Sequence, residues 1–344
     1  RNTEAFDDCD LVPKISANVG KPDLSTTVFG RKISMPIFLS PAAMQRLYHP
    51  EGDKASARAA EKFNTFYSMS TMSNNSIEQI ANLSSGPKLF QLYIHKDQSI
   101  TDDLIDRCKR ANFDGLCLTV DTIVAGNRER DHRTGFTTPP KLTLKSLFSF
   151  AIKPKWVFDY LTNEKFELSN VKNKTDKGTN ITKSVIEYIN EQYDPGMNWS
   201  DAEYVVKRWD KPFAIKGVMS VEDAKRAVDI GCTAIMISNH GGRQLDGSRS
   251  PFDQIKLISD AVGDKVDIIL DGGVRRGTHV LKAIAAGAKA CSFGKAFLFS
   301  LSAGGQKGVE KLLQNMHDEI QRNMILMGCK NLKDLNYSRL IFRR

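Results

Sequence analysis

No stretch of this 344-residue chain approaches the roughly 18 consecutive apolar residues that a membrane-spanning helix needs. It has six cysteines (Cys9, Cys108, Cys117, Cys232, Cys291 and Cys329), none in a C-x-x-C pair and several inside apolar runs. That scatter argues against a zinc site or a disulfide framework and for reduced core thiols in a cytoplasmic compartment, and no metal site is expected. No G-x-G-x-x-G unit is present, which leaves out the usual cradle for a dinucleotide pyrophosphate. The start, Arg1-Asn2-Thr3, carries no initiator Met, no apolar signal segment and no transit composition. Zinc-finger, ribonucleoprotein and helix-turn-helix patterns are missing too, so nucleic acid is not an expected partner.

What the chain does contain is ordinary for a globular enzyme: 41% apolar and 26% charged residues, with 24 Gly and 12 Pro spread along it. This composition excludes disorder, collagen and coiled coil. Forty-nine Lys and Arg against 40 Asp and Glu leave a net charge of +9. Such an excess suits an anionic cofactor, an anionic substrate or an acidic membrane surface.

Short runs rich in apolar and β-branched residues recur, each followed by a loop and then a helical pattern. They are Pro36–Ala43, Thr65–Ser70, Leu89–Tyr93, Gly115–Asp121, Pro212–Gly217, Ala234–Ser238, Asp267–Asp271 and Ala290–Gly294. Continuously apolar strands alternating with helices imply a parallel sheet covered on both faces. Eight such units predict an α/β fold, a closed (β/α)8 TIM barrel forming a single domain over 1–344. An open doubly wound sheet is the competing topology. Helices are predicted over Glu51–Phe63, Ile100–Ala111 and Val221–Ile230, the last capped by Ser220.

The spacing breaks once, after the fourth strand. Residues 141–183 carry nine Lys against four acids, interleaved with Leu142, Leu144, Leu147, Phe148, Phe150, Ile152, Trp156, Val157, Phe158 and Tyr160. Lysines among aromatic and aliphatic side chains suit an interfacial membrane segment; a lid on the barrel rim or a subunit contact are the alternatives.

Barrel enzymes carry their chemistry at the carboxyl ends of the strands. Here those ends read Pro41-Ala42-Ala43, Ser70, Gln91 with Tyr93, Thr119 with Asp121, Lys216, Ser238 through Asp246, and Asp271 through Gly277. In Ser238-Asn239-His240-Gly241-Gly242-Arg243-Gln244-Leu245-Asp246, two glycines separate a base from a cation, so both can converge on one small ligand. Asp271-Gly272-Gly273-Val274-Arg275-Arg276-Gly277 and Phe293-Gly294-Lys295 follow the seventh and eighth strands. Glycine loops at that place, entering helices, make a phosphate site, with Arg275 and Lys295 adding full charges. Gln91, Thr119 and Ser70 can equally serve to satisfy strand-end backbone groups. Arg128, in Arg128-Glu129-Arg130-Asp131, fits a surface ion-pair cluster as well as a site.

SNHGGRQLD, DGGVRRG, Phe90-Gln91-Leu92-Tyr93, Thr119-Val120-Asp121 and the proline stretch around Pro41 together resemble the FMN-dependent L-2-hydroxy-acid oxidoreductases. The resemblance runs over essentially the whole chain. Pro154-Lys155-Trp156 and Tyr193-Asp194-Pro195 look most like the bacterial L-lactate dehydrogenase branch. It implies FMN as cofactor and His240 as the active-site base, with Asp121 orienting it. It implies Arg243 and Arg128 on the substrate carboxylate, and Tyr93 as its hydrogen-bonding partner. Pro41, Ala42, Ala43, Ser70, Gln91, Thr119 and Ser238 would line the isoalloxazine, with Lys216 near its N1–O2 edge. Asp271 would hold the ribityl chain, and Gly272, Gly273, Arg275, Gly294 and Lys295 the phosphate.

Three departures stand out: Lys295 where the family usually has Arg, Met72 where the plant oxidases have Trp, and a start that lies after the family's N-terminal helical region with its carboxylate-binding Tyr. The implied reaction is oxidation of a small L-2-hydroxy acid, L-lactate first, with electrons passing to a quinone or cytochrome. An oxygen-using oxidase is the runner-up; an FMN barrel isomerase and an inactive flavin-binding membrane-associated protein are the rivals. The resemblance also implies a homo-oligomer, a tetramer, in the cytoplasm, with 141–183 as a candidate contact to the cytoplasmic face of the inner membrane.

Overall fold

Eight short parallel strands close on one another: β1 (Ile37–Leu39), β2 (Tyr67–Ser70), β3 (Lys88–Leu92), β4 (Gly115–Thr119), β5 (Phe213–Val218), β6 (Ala234–Ile237), β7 (Asp267–Asp271) and β8 (Ala290–Phe293). β8 pairs with β1 through Cys291 opposite Ile37 and Phe293 opposite Leu39, which completes the ring. The protein is a (β/α)8 barrel, seen in a computed structural model that describes residues 1–15, 17–129, 133, 144–163, 166–171 and 193–343. The open doubly wound sheet is thereby excluded.

All eight predicted strands form, and five are trimmed at their carboxyl ends, most of all Pro36–Ala43, which shrinks to Ile37–Leu39, and Gly115–Asp121, which shrinks to Gly115–Thr119. The trimmed residues leave the ladder because they form the loops that carry the polar side chains. The helices after the strands are α1 (Gly52–Lys62), α2 (Ile77–Leu83), α3 (Gln98–Arg110), α4 (Trp199–Trp209), α5 (Val221–Asp229), α6 (Pro251–Val262), α7 (Gly277–Ala285) and α8 (Lys295–Leu326). Ser220 caps α5 as predicted, its hydroxyl accepting from the Asp223 N–H at 3.1 Å.

One row of side chains explains how a buried barrel makes a polar mouth. Phe38, Leu89, Cys117, Ala214, Ala234, Met236, Ile269 and Ala290 form a single interior cluster with Phe66, Val28, Phe29 and Ile33. With a period of two, the next position on each strand toward its carboxyl end is Ser40, Gln91, Thr119, Lys216, Ser238, Asp271 and Ser292. The same face is thus apolar at one end of the barrel and polar at the other. The apolar end is plugged by a hairpin, Thr26–Val28 against Arg31–Ile33, whose Phe29-Gly30 turn is left-handed at both residues (φ +49° and +71°). Phe29 meets Phe38 and Phe66 edge to face, and a Cβ on Gly115 would come within 3.2 Å of the Phe29 ring.

All six cysteines are buried and unbonded, as reduced core thiols should be. Of the insertion 141–183, two helices are described, Leu144–Ala151 and Pro154–Thr162. Residues 141–143, 164–165 and 172–183 lie outside the described residues, as does His132. Phe150, Trp156 and Tyr160 stack in a column, and the Trp156 indole N–H donates to the Leu47 carbonyl at 2.9 Å, tying the pair to the barrel rim. The opposite side is bare: Leu144 is 87% exposed, Phe148 69%, Phe158 65% and Leu161 73%.

Two histidines without an obvious partner in the sequence are buried structural residues. His95 lies edge-on to Tyr193, and His279 stacks on Phe6 at 4.3 Å. Burial pushes both imidazoles down to about 4. The unfolded chain, titrating near 6.5, therefore binds more protons than the folded one between those values, and stability falls as pH drops through that window. The expected cost is roughly 1 kcal/mol per pH unit for each ring. Thermal melts at pH 7 and pH 5 check this: His95→Gln should show a smaller drop than the parent, and equal drops would refute it.

Candidate active site

At the centre of the polar mouth is Asp271, the last residue of β7. It accepts hydroxyl hydrogen bonds from Ser238 (2.7 Å), Ser292 (2.5 Å) and Ser40, and pairs with the Lys216 ammonium at 3.1 Å. Burial alone would raise this carboxyl, but Lys216 and the three hydroxyls hold it at about 2. Burial works against the Lys216 ammonium, yet Asp271 and Asp121 outweigh it and raise Lys216 above the ordinary lysine value. The pair is charged, dry and fully hydrogen-bonded. Ser40 and Ser292 escape the motif-based reading; their signal is a small polar residue at the carboxyl end of an apolar strand.

Ser238 links this group to the next. Its hydroxyl, donating to Asp271, accepts from Lys216 Nζ at 3.0 Å and from the His240 backbone N–H at 3.1 Å. His240 is held at φ +56°, a left-handed conformation that is costly for a side chain with a Cβ. The Asn239 amide supports the turn: it accepts from the Gly242 N–H at 3.0 Å and donates to the Arg249 carbonyl at 2.9 Å. The bent backbone aims the ring at the loop after β4, where His240 Nδ1 lies 3.0 Å from Asp121 Oδ1 and 3.4 Å from Thr122 Oγ1. Burial would raise Asp121, but Lys216 and the His240 hydrogen bond bring it below its ordinary value. A negative carboxylate therefore faces the imidazole, an arrangement that stabilises imidazolium when the ring takes a proton.

Tyr93, half-buried, packs against Tyr193 with ring centroids 4.7 Å apart and the planes tilted by 32°. Burial pushes its phenol up, with Lys216, Asp121 and Arg128 close enough to act on it. Arg243 is exposed and Arg128 half-buried, and their two loops touch: a Cβ on Gly126 would fall 2.1 Å from the Arg243 carbonyl oxygen. Structure thus brings His240, Asp121, Tyr93 and Lys216 together and sets the arginine loops beside them.

The remaining predicted residues sit around this group. Ser70 donates to Gln91 Oε1 at 3.1 Å, whereas Gln91 Nε2 and Thr119 Oγ1 are buried with no partner among the described residues. Pro41, Ala42 and Ala43 form the half-buried loop after β1. Gly272 and Gly273 take φ +103° and +77°, and a Cβ on Gly273 would strike the Asn2 carbonyl at 2.3 Å. Arg275 is half-buried and donates to the Val274 carbonyl at 2.8 Å. Gly294 precedes α8 as its cap, and Lys295, at the first position, is exposed.

This constellation is what comparison with known proteins can decide. The profile of the FMN-dependent dehydrogenase family matches residues 1–342. The chain belongs to that family. It is 38% identical to glycolate oxidase of Spinacia oleracea, over 98% of this chain and 86% of the relative. It is 37% identical to L-lactate oxidase of a Nostoc species, covering 98% and 88%. Among solved structures, the monotopic membrane protein (S)-mandelate dehydrogenase superposes with a TM-score of 0.94 at 31% identity, over 99% of this chain and 90% of that one. The cofactor of this FMN-dependent dehydrogenase is FMN, and its chemistry is oxidation of a 2-hydroxy acid at CH–OH.

The residues present fit that cofactor. Two orphaned buried groups, Gln91 Nε2 and Thr119 Oγ1, point to a polar ring system that the protein alone does not satisfy.

Proposed function

We propose that this dehydrogenase oxidises L-lactate to pyruvate, with His240 as the base. The observation that carries the reading is the Asp121–His240 hydrogen bond at 3.0 Å. With Nδ1 engaged there, Nε2 is the nitrogen left to take the substrate's proton, and Asp121 keeps the resulting imidazolium in place. Arg243, with Arg128, grips the substrate carboxylate through the planar fork that Lys lacks. Tyr93 holds the substrate oxygen. FMN, when bound, takes the two electrons. Lys216 supplies positive charge beside the ring edge, Pro41, Ala42, Ala43, Ser70, Gln91, Thr119 and Ser238 line the ring, and Asp271 holds the ribityl chain. Gly272, Gly273, Arg275, Gly294 and Lys295 bind its phosphate. Lactate is favoured over glycolate because buried Met72 stands, by the family resemblance, where plant oxidases carry Trp, and a flexible Met would leave room for a larger substrate.

For the acceptor, the exposed apolar side of Leu144–Ala151 and Pro154–Thr162 favours a quinone or cytochrome at a membrane surface. The likeness to glycolate and L-lactate oxidases supports a second reading, direct use of oxygen. One experiment separates these. Under anaerobic mixing, L-lactate should bleach the flavin faster than glycolate or L-mandelate, and D-lactate should not bleach it. Reoxidation should then be faster with a quinone in anionic vesicles than with air-saturated buffer. Faster bleaching by glycolate or mandelate overturns lactate as substrate; faster reoxidation by air makes the protein an oxidase.

A further inference from the structure

Gln244 follows Arg243 in the loop after β6, and the site described above gives it no task. Its Nε2 donates to two main-chain carbonyls at once, Asp121 at 2.9 Å and Val124 at 2.9 Å, so both amide protons are spent on the loop after β4. Among the described residues its buried Oε1 has no partner, so the amide is seated there for what it donates.

The two loops it joins are not neighbours in the sheet. β5 runs between β4 and β6, so no ladder hydrogen bond fixes the distance between the loops. Nothing in the barrel's regular geometry brings Asp121 to 3.0 Å from His240 Nδ1. The close approach is built by hand. Gly217, at φ +114°, lets Asp121 cross β5, since a Cβ there would come 2.8 Å from the Asp121 Cβ. Gly126 lets the β4 loop lie on the Arg243 carbonyl, and its own Cβ would also fall 2.9 Å from Gln244 Oε1. Asp121 makes its contact to His240 through Oδ1, and its buried Oδ2 has no partner among the described residues, so the side chain depends on where its backbone is held.

We infer that Gln244 is a positioning residue: by clamping the Asp121 and Val124 carbonyls it sets the Asp121–His240 pair and the spacing of the loops that carry Arg128 and Arg243. This rests on His240 being the base. A displacement of about 1 Å in such a pair is enough to slow a reaction by about a hundredfold.

The test uses the FMN-loaded enzyme and two variants. Gln244→Glu keeps the shape and loses the donors; Gln244→Met keeps the length and loses all polarity. Both should lower the anaerobic flavin-reduction rate at saturating substrate by about ten- to a hundredfold. The affinity for FMN and the melting temperature should stay near the parent's, and α-deuterated substrate should show a larger isotope effect as the chemical step slows. A packing role predicts the opposite for Gln244→Glu, which would keep near-parental rates; that result overturns the inference. So does loss of FMN and of melting temperature in proportion to activity in both variants. His240→Gln serves as the control. If it still reduces flavin, the base assignment itself fails; if it is inactive while Gln244→Glu is unimpaired, only the clamp fails.

Discussion

His240→Gln should purify yellow, with FMN bound, and lose flavin reduction by L-2-hydroxy acids by at least two to four orders of magnitude. General-base catalysis contributes about 10²–10⁴-fold, and more where the same group orients the substrate. The fold should survive because the imidazole is not part of the Lys216–Asp271–serine group. The His240 backbone N–H on Ser238 is retained, and Gln bears the same strain at φ +56° as His does. An amide can still donate to Asp121 but has no basic nitrogen to take a proton. Stopped-flow bleaching at 450 nm or so, with FMN content measured after heat release, checks both halves. Bleaching at near-parental rate would sink the assignment of His240.

Lys216→Met should be the most damaging change to the scaffold. Lys216 and Asp271 are almost fully enclosed, with side chains about 5% and 8% exposed. Removing the ammonium leaves a carboxylate in a dry site with three serine hydroxyls and no counter-charge. Breaking a buried pair from one side costs about 3–5 kcal/mol. Chemical denaturation should register that loss directly. The double variant Lys216→Met, Asp271→Leu should recover much of it, because two apolar side chains leave no orphaned charge. Flavin reduction should not return in the double variant, since the positive charge beside the ring would still be missing. Equal stability of the single and double variants would show that the pair is not coupled as its 3.1 Å contact implies.

Much of this protein is legible along the chain. Eight apolar runs with helices between them leave few ways to bury both sheet faces, and the ring of strands follows. The glycines of Asp271-Gly272-Gly273 and His240-Gly241-Gly242 mark backbone in a left-handed conformation, and all four do take positive φ. Polar residues ending apolar strands identify the mouth. What a linear reading misses are the residues whose work is relational. Ser40, Ser292 and Thr122 carry no motif of their own, and Asn239 and Gln244, though inside SNHGGRQLD, take no role from it, because a hydroxyl or an amide says nothing until its partner is known.

The pairing of Lys216 with Asp271 shows the limit most clearly. The family resemblance implies a different part of the cofactor for each, yet they lie 3.1 Å apart on strands separated by β6. The sequence by itself determined the strand count and the family, and it named candidate site residues, since these depend on local period and on short, specific strings. Only closure of the barrel decided which of those residues meet. Side chains on non-adjacent strands and loops share no register, and their distances arise from the curvature of the whole ring and from contacts such as the Gln244 amide. Asp121 and His240, 119 residues apart, become a hydrogen-bonded pair for that reason alone.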